Sequence, residues 1–402
     1  MDTFPEFAPR IDLIHPSVNT IKLGKEVAST FKNNTNSTAI WHGFEQTWGY
    51  NHRWNRFGNY ARNRGVGSRA CVELRHGAAS GIGPDRSSVE SRFSIISSKS
   101  LKFLSIRDSQ HISTDQGQRF EHQFNHELSI PSGVNIGKNS QLHLLLNGWD
   151  LKHIGKDADK PIAFELHAGT VQIDHQTNKI EITYNMALHM DCRTPECIKN
   201  DNVDYQLDTD WLIVAGPPEQ LSVGTHTFPI EYSWSVGPPA SELQIPWQPQ
   251  TITALQSSVD ALPAFKGVSI KLSRIDTPKE PAEQHMLVWR SMIKPGSFKG
   301  TNFDFELGLM FKNWAVGQKQ SYPPFSAFSD RRPGHAQMSI DIALLQTKES
   351  LNRIDCTWTG AIHWSDITAP IKQGTDATAI FPTTTALPHI PDPSKLSCTK
   401  AN

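Results

Sequence analysis

Apolar and polar residues alternate at period two along much of the chain, the pattern of half-buried β-strands. Lys179-Ile180-Glu181-Ile182-Thr183-Tyr184 alternates cleanly, as do Gly267–Leu272, Phe303–Leu307 and Gln337–Ile342. Continuous apolar runs predict further strands at Gln141–Leu146, Ile162–His167 and Tyr205–Val214, and shorter ones at Arg92–Ile96 and Leu101–Ile106. Asn147-Gly148, after Leu144-Leu145-Leu146, is a turn pair and predicts the end of a strand. Strands of five to eight residues about ten apart, with few long helical patterns, predict β-sandwiches or barrels. The expected fold is all-β: two tandem antiparallel β-sandwiches, an N-terminal Trp/Arg-rich region and an irregular C-terminal tail.

The expected boundaries follow from shifts in composition. Residues 1–115 form an N-terminal arm and Trp/Arg-rich region with short strands, and 116–235 a first β-sandwich. Residues 236–250 form a Pro-rich linker, because prolines remove backbone donors and discourage sheet. Residues 251–366 form a second β-sandwich and 367–402 an irregular tail.

With 402 residues and 37% apolar residues, the chain can bury a large core. Lys and Arg number 39 against 40 Asp and Glu, a net charge of -1, so nucleic acid is an unlikely partner, and the balance argues against binding to a broad anionic membrane surface. The longest apolar runs are far short of the ~20 residues that span a bilayer. The start, Met1-Asp2-Thr3-Phe4-Pro5, carries an acid where a secretory signal carries positive charge, and no apolar core follows it. A soluble protein is expected, cytoplasmic or released by a non-signal route. Five cysteines are too few for a disulfide scaffold, so reduced thiols are the default, with Cys192 and Cys197 able to close a short loop in an oxidising compartment.

The two β blocks share an order of features. In the first, Leu144–Asp150 ends a strand at an aspartate; Ala163–Leu166 and Ile180–Tyr184 follow, then Asp210-Trp211-Leu212-Ile213-Val214. In the second, Val268–Asp276 ends at an aspartate; Met286–Trp289 and Phe303–Leu307 follow, then Thr357-Trp358-Thr359-Gly360-Ala361-Ile362. Over about 120–216 and 255–364 this resembles the H-type lectin module, a six-stranded antiparallel sandwich that trimerises and binds galactose or N-acetylgalactosamine. The resemblance implies an aspartate near each module's start, an arginine entering the second strand and a Trp-His pair after the third. Here Lys160-Pro161-Ile162 opens the second strand of the first block without arginine, and His189 sits near the aromatic-His position. In the second block Trp314 matches the aromatic, but His285 stands where arginine is expected.

The reading is a non-catalytic, lectin-like carbohydrate-binding protein that gains avidity as a homo-oligomer. Its expected ligand residues are Trp149, Asp150, His189, Asp276 and Trp314. Residues 41–60 hold seven aromatics, and 41–69 carry net charge +4. Trp48, Arg53, Trp54 and Arg56 from this segment are candidate interface or ligand contacts. Trp41, Phe44 and Trp48 also fall at helical spacing, so an amphipathic helix buttressing the first sandwich is the simpler expectation. His122 and His126 share a strand face, but no third ligand is fixed by spacing. No metal, cofactor or catalytic residue is expected, and no Walker loop, nucleophile elbow or HExxH is present. The rival reading is a structural assembly subunit of capsid or fibre type, interlocking through its N-terminal arm and C-terminal tail. A third is a glycan-acting hydrolase, which would need carboxylates facing each other across a cleft.

Overall fold

The computed structural model describes residues 11–15, 18–22, 36–47, 52–53, 56–57, 61–66, 69–75, 80–81, 86–115, 120–130, 134–153, 161–190, 202–234, 241–253, 258–274, 286–313, 334–363 and 395–400. Among these residues there is no helix. The strands are β1 (Ile11–His15), β2 (Val18–Lys22), β3 (Ser37–Thr47), β4 (His52–Arg53), β5 (Arg56–Phe57), β6 (Ala61–Val66), β7 (Arg69–Arg75), β8 (Ser80–Gly81), β9 (Arg86–Ser97), β10 (Lys102–Asp115), β11 (Phe120–Ser129) and β12 (Gln141–His153). There follow β13 (Pro161–Asp174), β14 (Lys179–Met190), β15 (Asn202–Gly216), β16 (Leu221–Trp234), β17 (Ser241–Thr253), β18 (Asp260–Arg274), β19 (Met286–Lys299), β20 (Asn302–Asn313), β21 (Gly334–Thr347), β22 (Asn352–His363) and β23 (Lys395–Lys400).

The all-β expectation holds. The sheet orders are β11-β14-β13-β18-β21-β16, β17-β20-β19-β3-β9-β22-β23, β10-β15-β12-β5, β1-β2-β7-β6 and the small pair β4-β8. Every pairing is antiparallel.

Sequence-consecutive strands repeat one order. Strands β10 to β15 give the triplets β10-β15-β12 and β11-β14-β13: first, sixth, third and second, fifth, fourth. Strands β16 to β21 give β16-β21-β18 and β17-β20-β19, the same order. The triplets face each other through aromatic contacts. Tyr184 on β14 meets Trp211 on β15 at 4.9 Å, and Phe228 on β16 meets Phe305 on β20 at 6.0 Å between centroids. The Tyr184 hydroxyl crosses the same space to donate to Asp108 on β10 at 2.7 Å. Burial of the hydroxyl and its bond to this carboxylate push the Tyr184 pKa up.

Three sequence-level boundaries look different in the structure. Asn147-Gly148 is a bulge inside β12, not a turn: Leu146 faces Trp211 and Gly148 faces Asp210, leaving Asn147 extra. Gly148 adopts φ 135°, and the Asn147 side chain accepts from the Trp41 N–H at 2.8 Å and donates to the Ala39 carbonyl at 3.2 Å. The local polar pair therefore staples two strands rather than reversing one. Prolines within 236–250 do not keep that stretch out of a sheet. Ser241–Thr253 pairs with β20, and a bulge between Ile245 and Gln248 takes up Pro246. Finally, β10 pairs with β15 along its whole length, so strand pairing crosses residue 115.

The core is continuous across the sheets. Trp41, Phe44, Phe93, Trp149, Phe164, Tyr184, Tyr205, Trp211 and Trp358 are all essentially inaccessible. The turn at 98–100 is held to the turn after β21 by Glu349. Its Oε1 accepts from the Lys99 and Ser100 N–H groups at 3.1 Å each, from the Ser100 hydroxyl at 2.8 Å, and from the Ser98 hydroxyl. Burial pushes the Glu349 carboxyl up, but these bonds outweigh it and hold it below its ordinary value.

Candidate functional site

The most chemically diverse surface group among the described side chains lies on the seven-stranded sheet. Phe303, Phe305 and Leu307 on β20 point into the core, so by period two Asp304, Glu306 and Gly308 face the other way. The bulge in β17 re-aims Trp247, whose indole lies flat over Gly308. A Cβ on Gly308 would stand 2.8 Å from the Cε3 and Cζ3 atoms. Glycine is required there because any side chain would lift the indole off the sheet.

Neighbouring strands extend this into a stripe, one contribution after another. Arg290 on β19 places its guanidinium 5.8 Å from the Trp247 ring centre, and Arg92 on β9 places its own at 4.8 Å, both within cation–π range. Arg290 sits directly opposite Glu45 on β3, with Nε donating to Oε2 at 2.6 Å and Nη2 at 2.5 Å from the same oxygen. Glu45 in turn sits opposite Glu90 on β9, a like-charge pair that would repel if left alone. Arg92 offsets it by donating from Nε to Glu90 at 3.1 Å. The four charged side chains are 16–32% exposed, which makes them reachable but held. The stripe is net neutral: an indole, two guanidiniums and two carboxylates.

A second polar group runs from the interior to the partly exposed Asp355. His42 Nε2 and Ser94 Oγ are 2.7 Å apart, and Ser94 donates to Asp355 Oδ1 at 2.5 Å. Arg353 Nε lies 3.2 Å from that carboxylate oxygen. Burial, then the positive charges of Arg353 and Arg92, lowers the His42 pKa to about 3, so the ring is neutral. Burial pushes the Asp355 carboxyl up. Serine lies between histidine and aspartate here, unlike the hydrolase order in which histidine is central. Ser94 is 0% and His42 1% exposed, so no substrate reaches them.

A third group reaches from β13 across β18 to β21 and β16. His167 Nδ1 is 2.8 Å from Asp341 Oδ2, and Thr227 donates to Oδ1 at 2.6 Å. The bond from His167, with help from Thr227, holds the Asp341 carboxyl below its ordinary value against burial.

The residues expected from sequence do not converge. Trp149 is 0% and Asp150 1% exposed. Trp149 is enclosed by Trp41, Phe44 and Phe164 at 5.3, 5.5 and 5.7 Å, so neither it nor Asp150 can form an open sugar platform. His189 lies on β14, Arg53 on β4 and Arg56 on β5, with side chains outside the described residues. Asp276, Trp314, Trp48 and Trp54 lie wholly outside them. Trp41 and Phe44 are on a strand, not the helix their spacing suggested. Both are core residues on one face of β3, because the bulge at 42–43 turns them to the same side. His122 and His126 do share a strand, where His126 Nδ1 is 3.4 Å from Asp108. No cluster of three potential metal ligands occurs among the described residues. Among the described residues no helix is long and apolar enough to cross a membrane. Cys356 is disulfide-bonded, and Cys398 is the residue directly opposite it on β23, which replaces the all-reduced expectation.

Trp247, Arg92 and Arg290 escaped sequence reasoning. They are 155 and 43 residues from Trp247 in sequence, and only strand order brings them together. The available signal was a tryptophan preceded by proline in an otherwise polar stretch, facing a glycine in the next strand.

No family model matches the chain, and no curated protein or solved structure is similar enough to match it.

Proposed function

We propose that the protein is a non-catalytic carbohydrate-binding protein and that the Trp247 stripe is its sugar platform. The observation that carries the reading is the half-buried indole flanked by two guanidiniums and two carboxylates on an otherwise polar sheet face. The apolar face of a pyranose packs on an indole, while Glu45, Glu90 and the guanidinium N–H groups take its hydroxyls. Pre-formed ion pairs keep these groups in place before the sugar arrives, which lowers the ordering cost of binding. The resemblance of the two β blocks to the H-type lectin module suggests a neutral ligand of the galactose or N-acetylgalactosamine type. The internal position of Ser94 and His42 favours binding over hydrolysis.

A glycan array probed with the whole protein and with Trp247→Ala tests this. The expected result is retention of galactose-type glycans by the wild type and at least a tenfold loss in the variant, with the unfolding midpoint little changed. Absence of binding to any glycan by the wild type would sink the lectin reading. Equal binding by both proteins would move the site away from Trp247.

A further inference from the structure

We infer that the chain is a closed cycle of three modules, the third assembled from both ends of the sequence and completed by β22 as a complementing strand. Six of the strands outside the two consecutive sets have the same order once β22 is counted first. The triplet β22-β9-β3 is then first, sixth, third, and β2-β7-β6 is second, fifth, fourth. Everything in this third module comes from residues 18–97 except its first strand, which comes from Asn352–His363.

The third strands of the modules are β12, β18 and β3, and they carry one device at one place. Each bulges by one residue just before a glycine: Asn147 before Gly148, Lys266 before Gly267, and His42 before Gly43. Counting from that glycine also aligns the joints between modules. The third residue after it faces an aromatic on the strand at the joint: Ile270 faces Phe164 on β13, Gln46 faces Trp289 on β19, and Leu151 faces Phe57 on β5, which directly precedes β6 in the chain. The next pairs, Lys271 with Ala163, Thr47 with Val288 and Lys152 with Arg56, keep the same register. Three independent coincidences of register are not a general property of antiparallel sheets, because any joint is free to slip by two residues without exchanging its faces.

The centre closes in the same sense. Asn147 of the first module bonds the Ala39 carbonyl of the third, and the Pro263 backbone of the second lies close enough to His42 of the third to act on its ring. Ala39 and Pro263 both stand four residues before their bulge glycines. Lys266 of the second module adds its positive charge to burial in lowering the pKa of His143, five residues before Gly148 of the first. Trp41 packs on Phe265 at 5.0 Å and on Trp149 at 5.3 Å, so all three third strands meet at one apolar axis. On their other side Ile40, Leu145 and Ala264, each three before its glycine, share a second cluster.

The edge of β9 is thus a strand-accepting surface whose occupant is the chain's own C-terminal segment. β22 pairs with it over twelve consecutive residues. This closure does not depend on what the Trp247 stripe binds.

Cysteine pairs placed in the full chain at Ala163/Lys271, Thr47/Val288 and Arg56/Lys152 test the cycle. Antiparallel neighbours lie about 4.5–5.5 Å apart, within disulfide reach, and a short bismaleimide bridges them where oxidation does not. All three pairs should give a faster-migrating, single-chain product absent from the wild type. Lack of that product at Arg56/Lys152, or a product there that joins two chains, would overturn the closed cycle. A protease site inserted in the 348–350 turn gives a second measurement. After cleavage the C-terminal fragment should stay bound under native conditions and leave only in denaturant; its release on native gel filtration would remove β22 from the third module.

Discussion

Ser94 shows how much a single hydroxyl can hold. It links the buried His42 to the partly exposed Asp355. Ser94→Ala leaves His42 buried without this partner, and an orphaned buried polar group costs about 1–3 kcal/mol. A fall of that size in urea-unfolding free energy is expected, with no change in glycan retention. His42 adds a pH dependence whose sign is fixed by its environment. Its pKa is about 3 in the folded protein against 6.5 for an ordinary histidine. Between those values the unfolded chain binds the proton and the folded one does not. Stability is therefore full above pH 6.5 and is lost as the pH falls toward 3, at no more than about 1.4 kcal/mol per pH unit. Asp341 acts in the same direction in the carboxylate range, because His167 and Thr227 hold its pKa down. His42→Gln should flatten the melting-temperature profile between pH 6.5 and 4; an unchanged slope would show that His42 does not remain neutral in the fold.

At the scale of elements, the bulges decide which glycines can change. Gly43 has φ 95°, and a Cβ there would overlap the Ser291 carbonyl on β19. Gly43→Ala should cost about 3 kcal/mol or more, combining backbone strain with a displaced strand. Gly300 has φ 65° but open space around it, so Gly300→Ala should cost only about 1 kcal/mol. Comparing the two unfolding midpoints separates strain from crowding. The same bulges mark where strand reading from sequence succeeds and where it stops. Alternation at Lys179–Tyr184 or Phe303–Leu307 is a local consequence of one wet and one dry face, so those strands were legible. Trp41 and Phe44 were not, because the bulge at 42–43 puts both on one face of β3, and three-residue spacing then imitates a helix. Trp149 and Asp150 were misplaced for a related reason: an aromatic followed by an acid reads as a ligand site unless it is known that a second strand covers it. Trp247 was missed because Pro246 suggested a linker, whereas a bulge lets proline stay in the sheet.

At the scale of the whole molecule, the sheets do not respect the order of the sequence. The joint between β19 and β3 brings Val288 to Thr47, and the one between β22 and β9 brings Asn352 to Ser97. If the Trp247 stripe binds sugar, its members come from both sides of that first joint: Glu45, Glu90 and Arg92 from the early strands, Trp247 and Arg290 from the late ones. Loosening the joint should therefore weaken binding before it unfolds the chain. A partial urea titration should show glycan retention lost at a lower concentration than the far-ultraviolet strand signal; coincident loss would show that the joint and the sheets melt as one unit.

The pairing of β9 with β22 also sets a timetable. Some 255 residues separate Ser97 from Asn352, and ribosomes add about 5–20 residues per second. The early strands must therefore wait roughly 13–50 seconds, with the edge of β9 unpaired, before their closing strand is made. Such long-range pairing is slow to find even once the chain is complete. An open strand edge held for that time is a template for pairing with another nascent chain. The yield of this protein in a cell should thus depend less on its final stability than on how crowded the ribosomes making it are, and on whether a chaperone covers β9 during the delay.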